Sequence, residues 1–279
     1  MLGITLSINN TKQFRPFLKW AGGKYRIANK VKQNLPNGSR LIEPFVGAGS
    51  IFLNTNFDRY VLNDINKDLI NVFKYLKKDK KLFIKYCKQF FTIDSNRKNS
   101  FIELRDLFNK TDDQRLKSAL FVYLNRHVFN GLIRYNQNGK FNTSFGDYKK
   151  PYFPEKEMLY FSKKLKTTKL TSLDFSKIMT IAKKGDVIYC DPPYVPISLT
   201  AKFVNYHSTG FNLAQQRQLV VLAKELSNIG IPVIISNQDT KFTQKLYCNA
   251  QLYSFNVQRF ISCNVQNRRK SKEILAVFN

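Results

Sequence analysis

A four-residue motif, Asp191-Pro192-Pro193-Tyr194, directly follows a short apolar run at residues 187–190. Two successive prolines remove backbone donors, fix the direction of the chain and leave carbonyl oxygens free to accept hydrogen bonds. If the Asp191 carboxylate and the Pro192 carbonyl each accept one N–H of an exocyclic amine, the nitrogen lone pair turns toward an electrophilic methyl group. Tyr194 can stack on the ring that carries the amine. The motif therefore favours methylation of an amine such as adenine N6; the simpler alternative is a strand-terminating turn capped by Asp191.

A glycine-containing turn at residues 45–50 carries Gly47 and Gly49 between a predicted strand and a predicted helix. Glycine lets a backbone turn tightly and approach a ligand closely. Asp64 follows Gly47 by 17 residues, at the end of the next predicted strand, where a carboxylate can bind both hydroxyls of a ribose. Taken alone, the turn could be an ordinary strand-to-helix connection and Asp64 a helix N-cap. Together they indicate an adenosine-containing cofactor.

The elements that must position these motifs alternate between strands and helices in the outer parts of the chain. Apolar, β-branched runs predict strands, and a three- and four-residue apolar spacing predicts a helix. The strands are expected at 41–42, 61–62, 186–190 and 231–236, and the helix at 213–228. This alternation predicts an α/β, Rossmann-like domain with a largely parallel sheet and ligands at the carboxyl ends of its strands.

The middle of the chain has a helical pattern instead. Apolar residues recur three and four apart over 68–91 and 113–129, as in amphipathic helices. Ser100 precedes Glu103 by three, which predicts a capping-box start to a helix ending at Phe108. We therefore expect a catalytic domain made of residues 1–66 and 155–279, interrupted by a helical insertion at 67–154.

A hairpin is predicted within this insertion, where Asn138-Gly139 separates residues 132–135 from 140–143. Asn-Gly between two such runs favours a type I′ turn with positive φ at both positions. A two-stranded ribbon fits the major groove of DNA, where Arg134 can contact guanine O6 and N7 and Leu132 a thymine methyl, each contributing about 1–3 kcal/mol of discrimination. The alternative is a structural hairpin with solvated basic residues.

The composition points to a polyanionic partner. The chain has 279 residues, 46 Lys and Arg against 19 Asp and Glu, and a formal net charge of +27. Such a charge attracts nucleic acid. Part of the lysine excess has a simpler explanation, since AT-rich genomes inflate Lys, Asn, Ile and Phe. Together, the charge and the aromatic content predict a nucleic-acid-binding enzyme.

The cysteines have no short paired spacing, and only two histidines accompany them, so neither a metal site nor a disulfide framework is expected. These residues are Cys87, Cys190, Cys248, Cys263, His127 and His207. The sequence shows no secretory signal pattern and no apolar run as long as a membrane span. We therefore expect a cytoplasmic, nucleoid-associated protein with no membrane contact.

The chain resembles the Dam-type DNA adenine-N6 methyltransferases from end to end. The segments that carry the resemblance occur in the family's order: residues 17–25, 43–50, 63–66, 123–126, 130–132, 134–136 and 191–194. The resemblance implies the class in which the glycine motif comes first, the target-recognition region is inserted in the middle, and Asp-Pro-Pro-Tyr comes last.

The resemblance also implies roles for individual residues. S-adenosylmethionine would be contacted by Trp20, Lys24, Asp64 and Asp191, with Phe45, Gly47 and Gly49 beside it. A GATC site in double-stranded DNA would be contacted by Lys19 and Arg134 at guanines, by Asn130, Leu132 and Tyr148 at neighbouring bases or backbone, and by Phe129 as a wedge in the base stack. Two positions depart from the family's usual residues: Phe129 stands where tyrosine is usual, and Asp147 replaces a basic residue.

An adenine inside a duplex cannot present N6, so the nucleotide must be rotated out of the stack. Tyr194 and the stretch 203–211, with Tyr206 and His207, are candidates for the receiving pocket, and the basic cluster at 268–272 is a candidate phosphate contact. An ordinary loop and a solvated turn are the alternatives. The expected reaction is direct displacement without a metal, giving S-adenosylhomocysteine, by an enzyme that acts as a monomer. Rival functions are methylation of RNA or cytosine N4, and a catalytically silent DNA-binding protein.

Overall fold

Strands from both ends of the chain form one mixed sheet in the computed structural model, which describes residues 13–194, 211–258 and 270–279. Seven strands lie within these ranges. They are β1 (Arg40–Glu43), β2 (Arg59–Asn63), β3 (Thr168–Thr171), β4 (Asp186–Cys190), β5 (Val233–Gln238), β6 (Gln251–Gln258) and β7 (Lys270–Phe278). Their order across the sheet is β3-β2-β1-β4-β5-β7-β6.

The strand order reverses between β1 and β4. β1 pairs in parallel with both β2 and β4, and β7 runs antiparallel between β5 and β6. In an open α/β sheet the chain leaves two such neighbouring strands toward opposite faces, so a crevice opens at their carboxyl ends. The predicted α/β, Rossmann-like fold is therefore confirmed, and the glycine turn, Asp64 and Asp191 all follow strands that end at this crevice.

Helices cover both faces of the sheet. They are α1 (Ala28–Asn34), α2 (Ser50–Asn54), α3 (Lys67–Lys88), α4 (Lys98–Lys110), α5 (Gln114–His127), α6 (Glu155–Lys164), α7 (Phe175–Met179), α8 (Leu213–Asn228) and α9 (Lys241–Leu246). Successive strand residues point to opposite faces. Accordingly, Leu41 and Tyr189 pack in one core while Ile42 and Ile188 pack in another.

The helices α3, α4 and α5 come between β2 and β3 in the sequence, and they share a core with the sheet. The ring of Phe161, on α6, lies 4.7 Å from Phe73 of α3, 5.1 Å from Phe17 and 5.3 Å from Phe52 of α2, between centroids. One continuous apolar cluster therefore fixes the inserted helices against the sheet, which is a condition for any site that uses residues of both.

The start of one helix, α4, differs from the sequence prediction. α4 begins at Lys98 with Arg97 as its N-cap and no side-chain capping bond, so the capping box at Ser100 and the end at Phe108 are wrong. The preceding turn already directs the chain into the helix, because Ser95 N donates to Thr92 Oγ1 at 3.1 Å. β4 and α8, by contrast, have the predicted bounds.

The turn of the hairpin also differs from its prediction. Gly139 has a φ of 70°, but Asn138 is not among the residues with positive φ, so the predicted type I′ turn is wrong. Asn136 N donates to the Lys140 carbonyl and Gly139 N to the Asn136 carbonyl, both at 2.9 Å. This is a three-residue loop ending in a left-handed glycine. The Asn136 side chain favours it by accepting from Asn138 N at 3.0 Å and Lys140 N at 2.9 Å.

Candidate active site

The buried amide of Asn63, at the end of β2, ties together the loops that follow β1, β2 and β3. Its Nδ2 donates to the carbonyls of Pro44 and Leu173, both at 2.9 Å. Its Oδ1 accepts from Leu173 N and from the Thr171 hydroxyl, both at 2.9 Å. These four bonds use the full capacity of the amide, so the three loops that build the crevice are held at a fixed spacing.

The glycine turn packs its backbone against Trp20. Gly47 has a φ of 48° and Gly49 of 75°, in the left-handed region that favours glycine. A Cβ on Gly47 would lie 2.8 Å from Trp20 Nε1, closer than real Cβ contacts. Only glycine permits this approach, and the half-buried indole forms a wall of the crevice beside the turn.

Asp64 connects the glycine turn to the start of α3. Its Oδ2 accepts from Gly47 N and its Oδ1 from Asn66 N, both at 3.0 Å. Each carboxylate oxygen keeps a lone pair for another donor. Burial raises the pKa of Asp64, and these two backbone N–H groups oppose the rise. Asn66, which accepts from Leu69 N at 3.1 Å, is the N-cap of α3, so Asp64 is not needed as a cap.

The Asp191 carboxylate is held through one oxygen. Its Oδ1 lies 2.9 Å from Lys24 Nζ and accepts from the Ser236 hydroxyl at 3.1 Å. Lys24 Nζ also donates to the Gly22 carbonyl at 2.8 Å and lies 4.8 Å from the centre of the Tyr194 ring. Burial raises the pKa of Asp191, while Lys24 and Ser236 lower it by favouring the charged form. Within the described residues Oδ2 has no hydrogen-bond partner, so one oxygen remains available.

The two prolines differ in their surroundings. Pro192 is buried and Pro193 is exposed. The Pro193 carbonyl accepts from Nε2 of the buried Gln216, on α8, at 3.0 Å, whereas the Pro192 carbonyl accepts no hydrogen bond from the described part of the chain. The side chain of Gln216 thereby fixes the turn. It leaves a second acceptor, the Pro192 carbonyl, next to Asp191.

Three aromatic rings cluster beside the glycine turn. Phe45 stacks on Phe175 with centroids 5.5 Å apart, and Phe211 packs edge-on at 5.3 Å from Phe45 and 5.2 Å from Phe175. The sequence predictions included Phe45 and Phe211 but missed Phe175. The available signal was weak, because β3 before it is short and polar.

Glu43, the last residue of β1, was also missed. Its side chain is buried, Oε1 has no hydrogen-bond partner in the described residues, and Asp191 is close enough to disfavour a second negative charge. Burial, with the nearby Asp191, raises the pKa of Glu43 to about 8. The carboxyl of Glu43 therefore holds its proton at neutral pH, near Asp191, whose charged form Lys24 favours.

We expect Glu43→Gln to change the pH dependence of stability. Native Glu43, with its pKa raised from 4.5 to about 8, keeps a proton that the unfolded chain releases. The native free energy of unfolding therefore falls by about 1.4 kcal/mol per pH unit across this window. Glutamine has no proton to lose, so the variant gains on the native protein as the pH rises. Urea unfolding of both proteins at about pH 5 and about pH 8 measures this difference; parallel pH profiles would contradict it.

A second surface brings together the residues predicted to contact DNA. The backbone N–H and carbonyl of Lys19 bond the side chain of Asn125, on α5, at 2.8 and 2.7 Å. Lys19 Nζ lies 4.1 Å from the centre of the Tyr148 ring, and Tyr148 OH accepts from Asn130 N at 2.9 Å. A Cβ on Gly131 would collide with Lys19 Cβ, so glycine there allows the close packing of this surface.

The hairpin presents Arg134 from a fixed base. Arg134 Nε donates to Asn142 Oδ1 at 2.9 Å, and the Tyr135 hydroxyl donates to Asp68 Oδ2, on α3, at 2.7 Å. Nη2 of the exposed guanidinium also donates to the Asn142 carbonyl at 3.4 Å, and the other terminal N–H groups have no partner among the described residues. An open groove with a cavity volume of about 440 Å³ is lined by Phe129, Leu132, Ile133, Arg134, Thr143, Ser144 and Phe145.

Several predictions are not placed at either surface. Residues 203–210, 268 and 269 lie outside the described residues, and Lys272 is exposed on β7. His127 is buried, with Nδ1 2.8 Å from the Tyr123 carbonyl, and burial lowers its pKa to about 4. Among the described residues no three His, Cys, Asp or Glu side chains form a group that could hold a metal. No helix in these ranges is long and apolar enough to cross a membrane.

Comparison with known proteins decides the family. Residues 20–261 match the family described as D12 class N6 adenine-specific DNA methyltransferase. The chain belongs to this family. It is 46% identical over 268 residues to a DNA adenine methylase of Vibrio cholerae, covering 96% of this chain and 97% of the relative. Identity is 46% with the DNA adenine methylase of Serratia marcescens (96% and 99% covered) and 45% with that of Escherichia coli K12 (96% of each).

The predicted resemblance, adenine-N6 methylation of DNA and the enzyme class are thereby confirmed. As a D12 class methyltransferase the chain depends on S-adenosylmethionine, and the crevice has groups of the right kind for that molecule. Asp64 offers carboxylate oxygens for ribose hydroxyls, the Gly47 turn exposes backbone where a Cβ would collide with Trp20, and the Phe45 cluster offers ring faces for an adenine.

Proposed function

We propose that this enzyme methylates adenine N6 within GATC in double-stranded DNA, after rotating the nucleotide out of the duplex. The observation that carries the chemistry is the pair of acceptors at the turn after β4. Asp191 Oδ1 is occupied by Lys24 and Ser236, which leaves Oδ2 and the Pro192 carbonyl without partners among the residues that the structure describes. Two acceptors match the two N–H bonds of an exocyclic amine.

In the proposed mechanism, Asp191 Oδ2 and the Pro192 carbonyl accept the amine's hydrogens, while Tyr194 stacks on the base. S-adenosylmethionine, when bound, supplies an electrophilic methyl group. The two hydrogen bonds raise electron density on N6 and direct its lone pair along the line of attack. Displacement leaves S-adenosylhomocysteine, and the extra proton passes to solvent or transiently to Asp191. The step requires no metal. Lys24 favours the charged form of Asp191, which the carboxylate needs in order to accept the N–H of the amine.

The proposed cofactor residues surround the crevice. Asp64 binds the ribose hydroxyls with its remaining lone pairs, and Trp20 forms the wall opposite the backbone of Gly47. Phe45 would lie against the adenine ring of S-adenosylmethionine, with Gly49 completing the turn. Lys24 acts at the boundary between the cofactor and the target base, because its Nζ already bonds Asp191.

We assign target recognition to residues 67–154, together with Lys19. The ring of Phe129 is 49% exposed beside the groove, as a wedge that replaces the departing adenine requires. Arg134 would contact guanine, Leu132 a thymine methyl, and Asn130, Tyr148 and Lys19 the neighbouring bases or backbone. Asp147, exposed on the same surface with a φ of 49°, would weaken a phosphate contact. We place the enzyme in the cytoplasm at the nucleoid, as a monomer.

The proposal is tested by transfer of labelled methyl to a short duplex with one GATC and to a scrambled duplex, with Asp191→Ala as control. Label only in the first duplex, and only with the native protein, is the expected result. Equal labelling of both duplexes would reject the site but leave the chemistry. DNA binding without any labelling would favour the catalytically silent protein.

Arg134→Ala is expected to reduce the preference for GATC over a site with one altered guanine by about 5- to 150-fold, the equivalent of about 1–3 kcal/mol for a bidentate contact. Its control is Arg59→Ala, which removes the same charge from an exposed residue at the start of β2. Arg59→Ala should leave the preference for GATC unchanged, because Arg59 lies at the amino end of β2 and is not among the residues that line the groove. The measurement is kcat/KM on each duplex. An unchanged ratio in Arg134→Ala would exclude the base contact.

A further inference from the structure

A chain of buried hydroxyl groups runs beneath the catalytic carboxylate. The Tyr189 hydroxyl donates to Ser236 Oγ at 2.9 Å, and Ser236 Oγ donates to Asp191 Oδ1 at 3.1 Å. Ser236 is fully buried and Tyr189 almost so. β4 and β5 pair in parallel in register Cys190↔Ile235, which places Ser236 of β5 beside Asp191 of the β4 turn.

We propose that Ser236 is a positioning residue for methyl transfer, oriented by Tyr189, which fixes the Asp191 carboxylate so that Oδ2 faces the target amine. The inference rests on the proposed role of Asp191 and adds the element that sets its geometry. Ser236 has one hydroxyl proton and two acceptors within reach, Asp191 Oδ1 at 3.1 Å and the Cys190 carbonyl at 3.5 Å. The shorter bond is to the carboxylate.

The direction of these hydrogen bonds follows from the number of donors and acceptors that each group has. Ser236 Oγ accepts the hydrogen bond from the Tyr189 hydroxyl, so its own O–H points away from Tyr189, and the nearer of its two acceptors is Asp191 Oδ1. Lys24 Nζ lies 2.9 Å from the same oxygen. Two donors that converge on Oδ1 define the plane of the carboxylate. A carboxylate held only by Lys24, whose ammonium has no preferred plane, could rotate about its Cβ–Cγ bond.

The charged and titratable groups around Asp191 determine how its protonation responds. Lys24 comes from the segment before α1, Glu43 from the end of β1, Tyr189 and Cys190 from β4, and Tyr194 from the following turn. Of these, Lys24 favours the charged carboxylate, as does the hydroxyl of Ser236. Removing that hydroxyl should therefore move the pKa of Asp191 upward with Lys24 still in place.

The test compares Ser236→Ala, Ser236→Cys and Tyr189→Phe in methyl transfer to the native enzyme's DNA substrate. Ser236→Ala should lower kcat about tenfold, with the KM for S-adenosylmethionine within about twofold, because one hydrogen bond to a charged group is lost. In the Ser236→Ala variant, the acidic limb of the profile of kcat against pH should shift to higher pH. Ser236→Cys, with a weak donor, should fall between, and Tyr189→Phe should lose about two- to threefold since the last bond survives.

The control is Ser162→Ala, which removes another buried hydroxyl, bonded to the Leu159 carbonyl at 2.9 Å in α6. An equal fall in kcat in this control, or an unmoved acidic limb in Ser236→Ala, would overturn the proposal. Carbon-13 NMR titration of Asp191, assigned with Asp191→Asn, gives an answer independent of turnover. If the native enzyme failed to methylate DNA, the proposed function would fail, whereas an unchanged Asp191 titration in Ser236→Ala and Tyr189→Phe would reject the hydroxyl chain itself.

Discussion

Asp191→Asn should lower kcat by about a thousandfold, within the range of a positioned side chain that handles a reacting proton. The reason lies in the donors around Oδ1. Lys24 and Ser236 both donate to that oxygen, so an asparagine places its carbonyl oxygen there and its NH₂ at the Oδ2 position. The NH₂ then faces the N–H of the target amine, and two donors meet where an acceptor is needed.

The matched control is Asp58→Asn, which makes the same charge change at an exposed residue just before β2, at the amino ends of the strands. Both variants carry one more positive charge, so an effect of charge on DNA affinity should be common to them. Single-turnover transfer to a GATC duplex, with saturating enzyme, separates the chemical step from binding. Asp191→Asn activity within about tenfold of Asp58→Asn would refute the proposed role, since a lost proton acceptor costs more than that.

The bounds of β4 and α8 could be predicted to the residue, whereas β5 begins and ends two residues later than predicted, and β7 had no predicted bounds although residues 274–278 are apolar. β4 is a continuous apolar run between a charged residue and the prolines, and α8 begins with a capping box at Asn212. β3 and β6 escaped prediction because neither is apolar enough: β3 is mostly half-buried or exposed, and β6 is exposed over most of its length. Their places in the sheet are set by hydrogen bonds to β2 and β7, which no local pattern records.

The candidate site divides in the same way. Asp64, Gly47 and Asp191 follow strands in recognisable motifs, so their meeting at one edge of the sheet was predictable. Ser236 lies 45 residues from Asp191 and has no motif of its own. In the sequence, Glu43 looks like an ordinary charged residue at the end of a strand. Only its burial in the structure shows that it holds its proton. Such contacts depend on strand order and register, which are properties of the whole chain.

Asp64→Ala should raise the Kd for S-adenosylmethionine at least about a hundredfold. Each ribose hydroxyl bond to a charged carboxylate contributes about 1.5–3 kcal/mol, so losing two costs about 3 kcal/mol or more. The alanine variant also loses the hydrogen bonds that Asp64 accepts from within the protein. Gly47 N and Asn66 N each donate to Asp64 at 3.0 Å, and both become unpaired, which loosens the turn facing Trp20.

Asp64→Asn separates these contributions. Asparagine keeps one carbonyl acceptor and loses the charge, so its Kd should fall between the native and alanine values. DNA affinity without cofactor should stay unchanged in both variants, because Arg134 and Lys19 lie on the other surface and keep their partners Asn142 and Asn125. Calorimetric titration with S-adenosylhomocysteine measures the affinity for the cofactor. Fluorescence anisotropy of a labelled duplex measures the affinity for DNA. Equal Kd values for the native and alanine proteins would show that the ribose is bound elsewhere, while a parallel loss of DNA affinity would show that Asp64 acts on the fold rather than on the ribose.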